Sequence, residues 1–388
     1  MATIPLWLDD EGPWRAPAPS GGGGAGGPFD VEIVGAGVTG LACAALLAAA
    51  GRRVRVHDER GMGGGASGRN AGFALRGAAM PYDVARQELG AARARGLWAA
   101  TDAALDHMEA LAGDALRRVG SLRIPVSGEE EARVRAELDA LVEDGFTGEW
   151  VAPAAPGGLG MVRNPGDGAL QPLRWIRRLA GGAARAGARL AEGSRVDSLA
   201  ALEAPVVVVA TDGYGGGLLP ALDGTVRPAR GQVLATTPLA RRVAPCPCYA
   251  RDGYEYWQQL PDGRLVLGGF RDRSPHSEGT CEDDVTPTVQ GRLEVLASAI
   301  AQGEPIEVTH RWSGAWGETP DRLPLVGALG AATAGRGGVW VAAGYSGHGN
   351  VLGLACGEVV ARAILGAPAP GDEVLLDVFS PGRPALGL

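Results

Sequence analysis

Two hydrophobic periods divide the chain. Short, nearly unbroken apolar runs at Val31-Glu-Ile-Val34, Val54-Arg-Val-His-Asp58 and Pro205-Val-Val-Val-Val-Ala210 predict strands buried on both faces. Apolar residues at three- and four-residue spacing over residues 38–50, 83–112, 129–143, 173–186, 286–302 and 351–365 predict helices with outward charged faces, so residues 83–144 read as largely helical. The order strand, helix, strand, with the valine run returning near residue 205, predicts a parallel sheet whose domain is discontinuous in sequence. From about Arg227 to Arg273 the period becomes two, and Pro261-Asp-Gly263 joins the last two segments as a hairpin. Arg195-Val-Asp-Ser-Leu199 reads as one further short strand.

Glycines mark where these elements turn toward a ligand. In Gly35-Ala-Gly-Val-Thr-Gly40, Gly35 permits the turn, Gly37 lets the backbone approach a pyrophosphate, and Gly40 lets the helix pack on the sheet. The helix start at Val38 and Thr39 offers N–H groups and a partial positive charge to phosphate. Asp58, about 20 residues on, is placed to accept a ribose hydroxyl, with Glu59 beside it. A bare match means little among 63 glycines; the flanking strand, helix and acid assign the dinucleotide site. A second run, Gly61-Met-Gly-Gly-Gly-Ala-Ser-Gly-Arg-Asn-Ala-Gly72, is too glycine-rich for a stable helix or strand. It reads as a loop lying against the cofactor through Gly65, Ala66, Ser67, Arg69, Asn70, Ala71 and Gly72. Val196, Ala210 and Thr211 are assigned to the same rim. A third run, Gly344-Tyr-Ser-Gly347-His348-Gly349-Asn350, opens the last helix. A nicotinamide enzyme has no need of this second helix N-terminus. A flavin does, because its N1–C2=O edge becomes negative on reduction, and FAD is the expected cofactor.

Composition narrows the chemistry by exclusion. A chain of 388 residues has room for two interleaved domains, and a formal charge of −8 disfavours nucleic-acid or anionic-membrane partners. The longest apolar run, residues 41–50, is too short to cross a bilayer, and the acidic start lacks a basic leader region, so a cytoplasmic protein is expected. All 36 basic residues are arginine, which rules out a Walker phosphate loop, a pyridoxal Schiff base and a lysine nucleophile. The five cysteines and five histidines lack metal-ligand spacing, so no metal site is expected. Residues 1–15, with Trp7 and Trp14, read as an arm docking on the body, and residues 16–28 as a linker. Tyr254 and Tyr256 read equally well as pocket lining or as cross-strand packing.

Several of these motifs together resemble the D-amino-acid oxidase-like FAD oxidoreductases, which include sarcosine, glycine and γ-glutamylputrescine oxidases. The resemblance covers nearly all of the chain after residue 28. It rests on the glycine turn with Asp58, Gly65-Ala-Ser-Gly-Arg-Asn-Ala-Gly72, Asp167-Gly-Ala-Leu, Arg230-Gly-Gln, Trp312-Ser-Gly, Thr319-Pro-Asp321 with Pro324-Leu-Val-Gly327, and Ala343-Gly-Tyr-Ser-Gly-His-Gly349. Pro5-Leu-Trp-Leu-Asp9 and the Gly-Ala-Ser-Gly-Arg-Asn run look most like the γ-glutamylputrescine oxidase branch.

The resemblance implies an α/β protein in which a Rossmann-type FAD domain is interleaved with a domain on a mixed, largely antiparallel sheet. On this reading residues 29–85, 150–225 and 322–388 form the FAD domain, and residues 86–149 and 226–321 the substrate domain. The implied activity is oxidation of a C–N bond in a small amine or amino-acid-like substrate by hydride transfer to flavin N5. The imine product then hydrolyses, with O2 as acceptor and H2O2 as product. A flavin dehydrogenase passing electrons to a quinone or carrier, and a flavin-binding subunit without turnover, remain alternatives. The substrate-side candidates are Arg76, Tyr254, Tyr256, Trp316 and His348. Trp316 stands where relatives that act on amino acids carry a carboxylate-binding arginine, leaving Arg76 or Arg69 as substitutes. Gly314 stands near the cysteine through which sarcosine oxidases attach flavin, which implies noncovalent FAD. Leu265-Val-Leu267 lacks the lysine that those enzymes place over the flavin.

Overall fold

The computed structural model describes residues 3–18, 27–330 and 338–386. Its first sheet has six strands in the order Leu325–Leu329, Gly338–Ala343, Val206–Val209, Val31–Val34, Val54–Asp58 and Arg189–Glu192. All neighbours are parallel except the first pair. Register sets Val31 opposite both Val54 and Val206, so the valine runs stack into one apolar slab. Helices Val38–Ala49, Pro172–Arg185 and Gly349–Leu365 cover it, and the glycine-turn helix contacts both of the others.

The second sheet has eight strands and starts at one edge with the long antiparallel pair Val308–Glu318 and Arg227–Pro238. Strands Cys248–Ala250, Glu255–Gln259 and Arg264–Gly269 continue it, the last two as the expected hairpin. It is mixed, with the single parallel pairing joining Cys248–Ala250 to Ser121–Ile124. Strands Glu149–Val151 and Met161–Asn164 also pair into this sheet, although all of their residues except Glu149 lie in the 150–225 stretch assigned from sequence to the FAD domain. A third sheet of three short strands, Phe73–Ala74, Leu116–Arg117 and Gly168–Leu170, stitches the two units together.

Three local expectations are corrected. Residues 195–199 are not a strand; the edge strand is Arg189–Glu192, pairing Asp58 with Glu192, and its charged ends suit a sheet edge. The helix expected over residues 83–112 breaks at Gly90, whose φ of 84° ends Tyr82–Leu89 before Ala91–Ala112 begins. The loop at residues 61–72 contains one helical turn, Ala66–Arg69. The N-terminal arm does dock, with Leu6 and Trp7 buried in helix Leu6–Glu11. Residues 19–26 of the expected linker lie outside the described residues. No helix among the described residues is long and apolar enough to cross a membrane, and no group of three or more His, Cys, Asp or Glu there could hold a metal ion.

Candidate active site

A single cavity of about 1680 Å³ runs from the ends of the parallel strands to the face of the eight-stranded sheet. It exceeds the roughly 300–1,000 Å³ of ordinary small-molecule pockets, leaving room for a dinucleotide and a substrate together. At its first end Gly35 has φ of +107°, and a Cβ there would meet the Ala210 carbonyl oxygen at 2.4 Å. A Cβ on Gly40 would lie 2.0 Å from the Gly35 oxygen, so the helix sits directly on the turn. A Cβ on Gly37 would lie 2.8 Å from Ser67 Oγ, which accepts the Val38 N–H at 3.1 Å. Ser67 thus binds the second glycine loop to helix Val38–Ala49.

The Asp58 carboxylate accepts the Ala36 N–H at 2.8 Å on one oxygen and those of Arg60 and Gly61 at 2.9 Å on the other. A carboxylate offers about four acceptor positions, so capacity remains for a hydroxyl from the cavity. Beneath it His57 bridges Ser194 Oγ at 2.9 Å and Glu32 at 3.1 Å. Asn70 and Asn350 exchange reciprocal amide bonds of 3.2 Å, which join the second glycine loop to the third.

Most residues singled out from sequence converge here. Gly35, Gly37, Val38, Thr39, Asp58, Glu59, Gly65, Ala66, Ser67, Arg69, Asn70, Ala71, Val196, Ala210, Thr211, Gly347, His348, Gly349 and Asn350 line the cavity. Arg76, Tyr254, Tyr256 and Trp316 line its other end. Gly40, Gly72 and Gly344 lie just behind the wall. Gly72 has φ of +82° with the Leu170 oxygen 2.1 Å from its would-be Cβ, and Gly344 donates to Asp212 at 2.7 Å.

The two candidate substrate arginines are already engaged. Arg69 donates to the Ser313 oxygen at 2.6 Å and to Thr3 at 2.7 and 2.8 Å. Arg76 bonds the Thr147 oxygen and Asn164 Oδ1, and lies 3.7 Å from Asp102. A third arginine, missed in the sequence, faces the cavity. Arg271 stacks over Tyr254 at 4.5 Å and Trp316 at 5.1 Å and pairs with Glu318 at 3.0 Å. Its only sequence signal was its place just past a strand end. Asp212 was also missed: in the left-handed region at φ 48°, it accepts the N–H groups of Gly317, Gly344 and Tyr345. It thereby ties the valine strand to both the substrate sheet and the third glycine loop.

Burial sets the protonation of the walls. It pushes the His348 imidazole down to about 4, so the ring is neutral at pH 7. It raises the Tyr256 phenol to about 12, opposed by Arg271. His348 Nδ1 and Trp316 Nε1 are buried with no hydrogen-bond partner among the described residues, and a Cβ on Gly347 would lie 3.9 Å from that indole nitrogen. Such groups are costly unless a ligand satisfies them. Two unpaired ring nitrogens beside a helix N-terminus fit the polar edge of a flavin, as the glycine cradle fits a pyrophosphate.

Asp167, on the same wall, accepts Ser121 Oγ at 2.6 Å and the Arg76 N–H at 3.1 Å, yet burial outweighs these bonds and lifts it from 3.8 to about 6. The folded state therefore keeps a proton that the unfolded chain releases, and this contribution is complete below about pH 4 and lost as pH rises through 6. It amounts to about 3 kcal/mol by pH 7. Urea unfolding at pH 4.5 and 7.5 should show Asp167→Asn gaining on the parent by up to that amount at the higher pH. A gap independent of pH would contradict the assignment.

Comparison with known proteins decides the family. Residues 30–363 match the family described as DAO, FAD dependent oxidoreductase. The chain belongs to this family. A probable oxidoreductase, OrdL, of Rhizobium meliloti (strain 1021) is 29% identical over 87% of this chain and 83% of its own length. The gamma-glutamylputrescine oxidoreductase of Escherichia coli (strain K12) is 26% identical over 90% of this chain and 86% of its own. The crystal structure of glycine oxidase from Geobacillus kaustophilus superposes with a TM-score of 0.73 at 24% identity, covering 92% of this chain and 99% of that one. This DAO-family chain is thus an FAD-dependent oxidoreductase of the amine and amino-acid oxidase type, with the glycine oxidase fold.

Proposed function

We propose that this DAO-family protein oxidises a C–N bond of a small amine bearing an anionic group, with O2 as acceptor. The observation that carries the reading is Arg271, held between Tyr254 and Trp316 at the aromatic end of a cavity whose other end is the glycine cradle. The overall conversion balances as a secondary or primary amine plus O2 and water giving a carbonyl compound, the released amine or ammonia, and H2O2. FAD, when bound, supplies the two-electron acceptor for the hydride equivalent leaving the carbon next to nitrogen.

The chain's own residues do the rest. Gly35, Gly37, Ser67 and Asp58 are assigned to the pyrophosphate and ribose, and the 344–350 loop with His348 and Trp316 Nε1 to the flavin's polar edge. Tyr254, Tyr256 and Trp316 wall the substrate space and exclude water. Arg271, half-neutralised by Glu318, orients the anionic group. His348, held down to about 4 by burial, is too weak a base to take an ammonium proton at pH 7; the amine arrives unprotonated. The Gly314 position supports noncovalent FAD. Five free cysteines, four of them buried, fit a reducing cytoplasmic setting.

The test is a visible spectrum of purified protein, then anaerobic addition of γ-glutamylputrescine, putrescine, sarcosine, glycine or D-alanine. Bleaching by one amine, with peroxide on admission of air, supports an oxidase. Bleaching without reoxidation by O2 overturns the acceptor assignment, and a protein that takes up no FAD overturns the whole reading. Arg271→Met is expected to raise KM for a carboxylate-bearing amine about 10- to 100-fold, the value of one charge-assisted hydrogen bond. It should change KM for putrescine far less, and an equal effect on both would remove Arg271 from the substrate site.

A further inference from the structure

The second glycine loop is held from outside by the N-terminal arm. Trp7 is fully buried, and its indole N–H donates to the Asn70 carbonyl at 2.8 Å. Its ring meets Trp312 edge-on with centroids 6.2 Å apart, and the Trp312 N–H donates to the Arg69 carbonyl at 2.8 Å. Two indoles, one from the arm and one from the substrate sheet, therefore fix consecutive carbonyls of the loop. Thr3 completes the latch: its carbonyl and hydroxyl accept from Arg69 Nη2, and its hydroxyl accepts the Ser313 N–H at 3.2 Å. The arm is pinned beyond this point to both units. Asp9 meets His310 at 2.9 Å and Asp10 meets Arg264 at 2.9 Å on the substrate sheet. Glu11 meets Arg174 at 2.7 Å, and the Gly12 carbonyl accepts from Arg177 at 2.7 Å, both on the helix that covers the parallel sheet.

We infer that residues 3–12 form a clamp that holds the cofactor loop in its binding conformation, with Thr3 and Trp7 as positioning residues for FAD. A loop this rich in glycine has many conformations to lose, and ordering it on binding would subtract from affinity. The arm orders it beforehand. Asn70 carries the restraint inward, since the residue whose carbonyl Trp7 holds is the one whose side chain bonds Asn350 on the third glycine loop. Coupling of this kind is reciprocal, so bound FAD holds the arm down as the arm tightens FAD. The inference rests on the assignment of FAD to this cavity and goes beyond it in giving the arm a part in cofactor retention.

The test titrates FAD into deflavinated protein, following flavin fluorescence, for the full chain, a form lacking residues 1–12, and full-length Trp7→Phe. Deletion should weaken FAD at least about 10-fold, and a peptide of residues 1–15 added in trans should restore most of the loss. Trp7→Phe keeps an aromatic ring without the N–H donor and should weaken FAD several-fold with little change in the unfolding temperature of the apoprotein; it also serves where the deletion form does not fold. Hydrogen exchange at residues 6–11 should slow when FAD is added to the full chain. FAD affinity within twofold across all three forms, or exchange in the arm indifferent to FAD, overturns the clamp alone. A full chain that takes up no FAD overturns the cofactor assignment and the clamp with it.

Discussion

Gly40→Val yields a protein that purifies without flavin and binds added FAD at least about 100-fold more weakly than the parent. The Gly35 carbonyl oxygen stands 2.0 Å and the Ile33 side chain 3.3 Å from the added Cβ. Backbone cannot rotate away as a side-chain tip can, so helix Val38–Ala49 must lift off strand Val31–Val34. Overpacking of this kind costs about 3 kcal/mol, and the displacement falls on the N-terminus that faces the phosphates. A loss of that size corresponds to roughly 100-fold in an equilibrium constant. Absorbance near the flavin band, normalised to protein, reads the outcome directly. Gly291→Ala is the control: it lies in helix Pro287–Ala301 with nothing within 4 Å of the new methyl, and it should leave flavin content unchanged and stability equal or slightly higher. Full flavin occupancy in Gly40→Val would remove the glycine turn from the cofactor site.

Glu278→Leu is the most destabilising change expected away from the cofactor. Arg230 and Glu278 form a two-pronged pair at 2.8 and 3.1 Å, with side chains 5% and 2% exposed, and Gln232 and Ser277 add bonds to the same carboxylate at 3.0 Å each. Leucine fills the space but leaves the guanidinium buried without its anion, a loss of about 3–5 kcal/mol. Denaturant unfolding measures it. Adding Arg230→Met should recover most of that cost, because the penalty comes from the stranded charge rather than from loss of a net attraction. A double variant as unstable as the sum of the two single ones would show that packing, not charge, holds strand Arg227–Pro238 to the Pro275–Glu278 turn.

What the sequence disclosed follows from how local each constraint is. Gly35, Gly37 and Gly40 act within six residues, where only glycine tolerates the φ or the close approach, so the dinucleotide turn was legible at once. The valine run at 206–209 was legible because a strand buried on both faces leaves no polar alternation. Arg189–Glu192 carries neither signal. It is a strand only because Asp58 and its neighbours are there to pair with it, whereas Arg195–Leu199, with better alternation, finds no neighbouring strand among the described residues. Arg271 was hidden for a similar reason. A surface arginine and a substrate-facing one look alike until Tyr254 and Trp316, 17 and 45 residues away, close on either side. The partners of Arg69 and Arg76 at Thr3, Ser313 and Thr147 were hidden as well, because no spacing rule connects them.

The reciprocal amide pair between Asn70 and Asn350 sets a timetable for synthesis. The first glycine turn leaves the ribosome early, but the second loop cannot close on the third until 280 further residues have been made. Strand Val206–Val209 likewise waits for Gly338–Ala343 on one side. A nascent chain halted before helix Gly349–Leu365 would carry the fingerprint for a dinucleotide without the third glycine loop that meets Asn70, so cofactor retention is expected to wait for that helix.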